Sequence, residues 1–159
     1  MQMDSSKKQS RESVAWDWQT PDPRPNQVDL AIPSDPRLLR IVRLTIMHLT
    51  ELAGFVEEER KSVALAVDEA CSNIIKHAYH GATDRPILIR FQLLDHGLRV
   101  LLRDYGRKAD LSKIKSRELD DIRPGGLGVH LIRSVMDVVE YDNSLEDGNL
   151  LTLEKYLRR

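Results

Sequence analysis

The sequence predicts an α+β fold, a two-layer α/β sandwich with a mixed, mostly antiparallel sheet and helices on one face. Three observations lead there. Apolar patterns follow one another as strand, helix, helix, two strands, long loop, helix, two strands. Two strand pairs carry turn residues between them and read as hairpins. The chain has 159 residues, 41% of them hydrophobic, which suits one domain with a real core, and no internal repeat is apparent.

Residues 1–26 are polar and end in the proline-rich stretch TPDPRP. They read as a flexible N-terminal tail, because they cannot bury enough apolar surface to offset the entropy of ordering. Trp16 and Trp18 are the exception. They pack on the domain, or dock the tail onto a partner or second subunit. Residues 27–159 form the folded domain. QVDLAIP is its first strand. Ser34 or Asp35 then caps a helix, with Pro36 near its first position, where the missing N–H costs nothing. Leu38, Ile41, Val42, Thr45, Leu49 and Leu52 recur at helical spacing, and Gly54 stops the run.

A second helix is predicted from about Glu57 to His80, ended by Gly81. Val63, Val67, Ala70, Ile74 and Ala78 fall in one arc, widened by Ala64, Cys71 and Ile75. Glu69, Ser72, Asn73, Lys76, His77 and His80 fall in the opposite arc. Residues 87–94 and 98–104 make a hairpin across Asp95-His96-Gly97. The polar stretch 105–124 has no clear period, and a loop of that length in a compact domain is functional or disordered. GGLGVHLIRSVMD opens a third helix, and VVEY and LLTLEKYL make the closing hairpin.

Composition excludes several classes. The formal net charge is -1, from 24 basic and 25 acidic residues, unlike a nucleic-acid binder. No apolar run approaches the roughly 20 residues that span a bilayer, and the N-terminus lacks the apolar stretch of a signal peptide. A cytoplasmic protein is expected. The single cysteine, Cys71, forms no intramolecular disulfide and no CxxC motif.

Three motifs carry chemistry. Glu69 and Asn73 stand four apart and share a helix face. A carboxylate can accept a proton or orient a nucleophile, and an amide oxygen can ligate a hard cation such as Mg²⁺. Alone, the pair also fits a solvated polar face. His77 and His80 have metal-compatible spacing, but HExxH is absent and no obvious third ligand is nearby. Cys71 lies in the apolar arc and reads as a small core residue. In RDYG, Asp104 ends an apolar strand and can project a carboxylate into a pocket, while Gly106 lets the backbone approach a ligand; in isolation a plain turn is the better reading of the tripeptide. Gly125, Gly126 and Gly128 lie at the mouth of the third helix, where free N–H groups and the helix dipole favour a phosphate; a hinge is the other reading. The pattern is neither a Walker loop nor a Rossmann turn.

Together, in this order, the motifs resemble those of the Bergerat-fold (histidine-kinase-like) ATPases, and most closely the small anti-sigma-factor serine/threonine protein kinases, from about Val28 to Leu157. AVDEACSNIIKHAY resembles the first box of that family, which implies Glu69 as catalytic base or orienting carboxylate and Asn73 as Mg²⁺ ligand. RDYG resembles the second, implying Asp104 on the adenine amino group and Gly106 beneath the base. PGGLGVHLI resembles the third, implying phosphate contacts from Gly125, Gly126, Leu127, Gly128 and Val129, with Lys76 as a phosphate neighbour. The loop from Tyr105 to Pro124 falls where the family has its ATP lid. Two positions depart from the pattern: Lys108 stands where many relatives have a second glycine, and Ala109 where close relatives often have an aromatic residue.

The resemblance implies phosphoryl transfer from Mg-ATP to a serine or threonine of an anti-anti-sigma (STAS-like) protein, with sigma-factor binding as the competing state and a homodimer as a common assembly. The alternative is a non-catalytic nucleotide-binding or sequestration module of the same fold. A sensor histidine kinase lacks room here for its phosphoacceptor helices. A metal hydrolase built on Glu69, His77 and His80 leaves the glycines unexplained.

Overall fold

The computed structural model describes residues 23–114 and 127–158. Gly125 and Gly126, the second half of the expected lid and nearly all of the expected tail lie outside the described residues. Five strands form one sheet in the order β1-β2-β3-β5-β4: β1 is Gln27–Pro33, β2 Pro86–Leu94, β3 Gly97–Asp104, β4 Val138–Asp142 and β5 Asn149–Tyr156. Every pairing among them is antiparallel, so the mixed component of the expected sheet is absent from the described residues. The two hairpins lie where the turn residues put them. β3 pairs directly with β5, and α3 (Leu127–Val135, which carries part of the third motif) lies between β3 and β4 in the chain.

Side-chain alternation divides the sheet into two faces. Ile32, Ile87, Ile89, Phe91, Leu98, Val100, Leu102, Leu151 and Leu153 face the helices and are buried in one core. Against them pack α1 (Leu39–Leu52) and α2 (Glu57–Asn73), and α3 packs on α2. The helix entry differs in detail from the expectation. Asp35 caps a short 3₁₀ turn, Pro36–Leu38, through the Arg37 N–H at 2.9 Å, and α1 follows. Ser34 is fully buried instead, donating to the Ala82 carbonyl at 2.6 Å and accepting from the Arg85 N–H.

The apolar face of α1 is also rotated from the expected one. Leu39, Val42, Ile46 and Leu49 are buried, whereas Ile41 and Leu52 are exposed. This helix carries apolar residues on two sides, and packing against α2 selects one. The arc predicted for α2 holds: Val63, Ala64, Val67, Ala70, Cys71, Ile74 and Ile75 are all buried.

Candidate active site

The second helix does not run uniformly to His80. After Asn73 it widens into a π-turn, Ile74–Ala78, in which the Tyr79 N–H reaches back to the Ile74 carbonyl at 3.0 Å. Single π-turns interrupt helices often at functional sites. This one directly follows Asn73 and brings the Ala78 carbonyl to the chain leaving β3, where it accepts from the Arg107 N–H at 2.9 Å. That junction explains Gly106. A β-carbon there would stand 2.6 Å from the Ala78 carbonyl carbon and 2.8 Å from the Ala78 side chain. Backbone meets backbone at this point, and only glycine fits.

A cleft of about 270 Å³ opens between the π-turn, the end of β3, the start of α3 and β5. That volume lies near the lower end of the range for small-molecule sites. Asn73, Lys76, Asp104 and Val129 all line it, so residues from all three sequence motifs converge. Gly106 shapes the wall by its junction with Ala78 and is not itself a lining residue. His77 and His80 form part of the rim, together with Lys76 and with Arg107 and Lys113, giving the mouth a basic character.

Asp104 is 3% exposed. Its Oδ1 accepts from the Gly106 N–H at 2.9 Å and from the Asn149 amide at 3.1 Å. Burial pushes its carboxyl above the ordinary aspartate value, and those two hydrogen bonds pull partly the other way. A buried acceptor at the lining of a cleft suits a ligand amino group, whose N–H would complete its hydrogen bonding.

Asn149 escaped the sequence reading. It faces Asp104 in the β3–β5 register. Besides Asp104, its amide donates to the Arg107 carbonyl at 2.9 Å, and its Oδ1 accepts from the Ala109 N–H at 2.7 Å. One side chain therefore holds both the carboxylate and the chain that follows it. The available signal was an asparagine directly before the apolar pair Leu150-Leu151 of β5. Tyr79 was missed as well. It is buried, donates to the Pro86 carbonyl at 2.6 Å, and accepts from the Tyr105 N–H at 2.8 Å.

Lys108, at the departing position of the second box, reaches across to the carbonyls of Asn143 and Leu145. The Asn143 amide returns a bond to the Ala109 carbonyl at 3.0 Å. The loop joining β4 to β5 is thereby tied to the cleft wall by the two residues that depart from the family pattern.

Glu69 lies one turn before Asn73 and outside the cleft proper, in an adjoining groove with Gly128, His130, Leu131 and Ser134. It packs on the first turn of α3. A β-carbon at 128 would stand 2.8 Å from Glu69 Cδ and 2.9 Å from Cγ. Gly128 thus admits the glutamate to the helix mouth that the sequence marks as a phosphate site. Cys71 is fully buried, and burial, with Asp68 nearby, pushes its thiol up to about 12. It is a core residue, not a nucleophile.

Comparison with known proteins bears on the family and the fold. Residues 32–155 match the family described as the histidine kinase-like ATPase domain. A serine-protein kinase RsbW of Bacillus pumilus is 32% identical over 143 residues, covering 83% of this chain and 86% of that protein. The serine-protein kinase RsbW of Bacillus subtilis is 29% identical over 138 residues, covering 82% and 85%. A crystal structure of RsbU and RsbW domains from Mycobacterium tuberculosis superposes with a TM-score of 0.61 at 18% identity. It matches 87% of this chain, which spans about a third (34%) of that longer one. The chain belongs to the histidine kinase-like ATPase family and, within it, to the serine-protein kinases of the RsbW kind.

Proposed function

We propose that this protein is an ATP-dependent serine/threonine kinase and anti-sigma factor of a bacterial partner-switching system, and that it phosphorylates an anti-anti-sigma protein. The observation that carries the nucleotide reading is Asp104: a buried carboxylate on the lining of a basic-rimmed cleft, with Asn73 and the start of α3 on the same cavity. Similarity to serine-protein kinases of the RsbW kind supplies the kinase reading. The partner proteins and a homodimeric state are inferred from the family resemblance.

In this reading Asp104 accepts the adenine amino group. Lys76 and the basic rim draw the polyphosphate inward, and the N–H groups opening α3 hold its charge. The donor set fits Mg²⁺, because the Asn73 amide oxygen is a hard ligand on the same cavity and that ion needs few protein ligands. Bound there, Mg²⁺ would neutralise charge on the phosphate oxygens. Glu69, held at the mouth of α3, orients or deprotonates the incoming hydroxyl. Positioning and charge supply most of such catalysis.

Calorimetric titration with ATP, with and without Mg²⁺, tests the first half. Wild type should bind and Asp104→Ala should not; no heat from wild type removes the nucleotide reading. Phosphotransfer to a cognate anti-anti-sigma protein tests the second. Glu69→Ala should keep ATP binding and lose transfer, and retained transfer removes Glu69 from the mechanism.

A further inference from the structure

Two leucines on the sheet face turned away from the helices are buried, although no described helix lies on that face. Leu88 and Leu101 are each 6% exposed, yet neither belongs to the core between sheet and helices. They sit on the opposite face, on the two neighbouring strands β2 and β3. Arg90 lies beside them on that face, facing Asp29 on β1 and Leu101 on β3. Its side chain is only 16% exposed and forms a two-pronged ion pair with Asp29, both bonds at 2.8 Å. A leucine pair and an arginine on the outer face of a sheet are normally wetter than this.

A tight turn immediately precedes β1. Arg24 to Gln27 form a turn in which the Gln27 N–H donates to the Arg24 carbonyl at 3.3 Å. Pro25 fixes one central position, and Asn26 takes the left-handed conformation at the other, with φ 62. The Asn26 carbonyl is held in turn by the Leu93 N–H at 2.8 Å. Such a turn reverses the chain direction between Arg24 and Gln27. From Trp18 to Gln27 is ample chain to cross to β3, since adjacent strands lie only about 5 Å apart.

We propose that the N-terminal segment, residues 1–22, docks in extended form on the outer face of the sheet, with Trp16 and Trp18 seated over Leu88 and Leu101. Residues two apart in an extended chain point to the same side. They are spaced about 7 Å apart, close to the separation of diagonal neighbours on adjacent strands. The indoles match the leucines in spacing and polarity, and Arg90 stands between them as a cation for a ring face. The segment 115–126 is the less suitable occupant. Its flanks, residue 114 and α3, lie on the cleft, and α3 packs on α2 in the helical layer.

Trp16 and Trp18 are the only tryptophans in the chain, so tryptophan emission, excited selectively beyond the tyrosine band, reports on this segment alone. The full-length protein should emit at shorter wavelength than a free peptide of residues 1–22, and acrylamide should quench it severalfold less. Both properties should be independent of protein concentration. In the double variant Leu88→Thr and Leu101→Thr, which keeps strand-forming residues, emission should shift to the peptide's value while far-ultraviolet dichroism is retained. Native emission and quenching equal to the peptide's overturn the proposal. So does protection that grows with concentration, which would make a second copy the occupant. Protection unchanged in a folded double variant overturns it too. The wild-type measurement stands by itself if the variant does not fold.

Discussion

Asn149 donates its amide N–H groups to Asp104 across the β3–β5 pair and to the Arg107 carbonyl, and its Oδ1 accepts from the Ala109 N–H. Asn149 and Asp104 are buried, at 7% and 3% exposure. Asn149→Ala would leave the Ala109 N–H without its acceptor and Asp104 without one donor. We expect a stability loss of about 1–3 kcal/mol, the penalty for buried polar groups left unpaired. ATP affinity should fall with it. Urea denaturation and calorimetry on the same preparation check both.

The raised Asp104 carboxyl fixes the sign of two pH dependences. Its folded-state value lies above the ordinary 3.8, mainly through burial. As pH falls, the folded protein takes up this proton before the unfolded chain does. The stability contributed by this group is therefore fullest at acid pH and is lost as pH rises through the raised value. Asp104→Asn, which removes the buried charge, should gain on wild type at neutral pH, and the gap should narrow as pH drops toward 3.8. Nucleotide affinity runs the opposite way, because the adenine amino group needs the carboxylate. Affinity should begin to fall above the usual aspartate range. Asn149→Ala, by removing a partner of the charged form, should move that fall to higher pH still.

The two motif glycines should fail differently. At Gly106 an added methyl meets the backbone of Ala78, which cannot move without disturbing the π-turn. Gly106→Ala should destabilise by about 1–3 kcal/mol, as overpacking does, and weaken ATP binding. At Gly128 the methyl meets the Glu69 side chain, whose carboxylate end can swing away. Gly128→Ala should therefore unfold close to wild type while losing phosphotransfer. Paired denaturation and transfer assays separate the two outcomes.

Cys71 should be silent in the native state. With its thiol fully buried and pushed up to about 12, almost none is thiolate at neutral pH. A thiol reagent should label it only at the rate of opening, and at once in denaturant. Labelling kinetics followed by absorbance would show this, and rapid native labelling would place the thiol at the surface.

Much of this was legible in the sequence, because short-range signals decided it. β1 occupies the predicted Gln27–Pro33, and the α2 arc from Val63 to Ile75 is buried as its spacing required. Asn73, Asp104 and Val129 share a cleft because their motifs sit at the ends of elements that the sheet order brings together. What stayed hidden depends on distant partners. The exposed Ile41 and Leu52 show that helical period cannot choose between two apolar faces on one helix. The π-turn has no composition signature, since Ile74, Ile75 and Ala78 continue the apolar arc of α2 and Lys76 and His77 its polar one. Asn149 gains its role only from the strand opposite. Lys108 reads as a loss when compared with a glycine pattern, whereas in the fold it gains two carbonyl partners in the β4–β5 loop.

The Asp104–Asn149 pair also bears on the order of folding. The two residues are 45 positions apart. Their strands close around everything between them, so this contact carries a larger loop-closure entropy than either hairpin. The β2–β3 and β4–β5 hairpins can form early and separately, yet neither makes the cleft. Nucleotide competence should arrive last, with β3–β5 docking. In a refolding experiment, a fluorescent ATP analogue should bind in a phase slower than the gain of secondary structure.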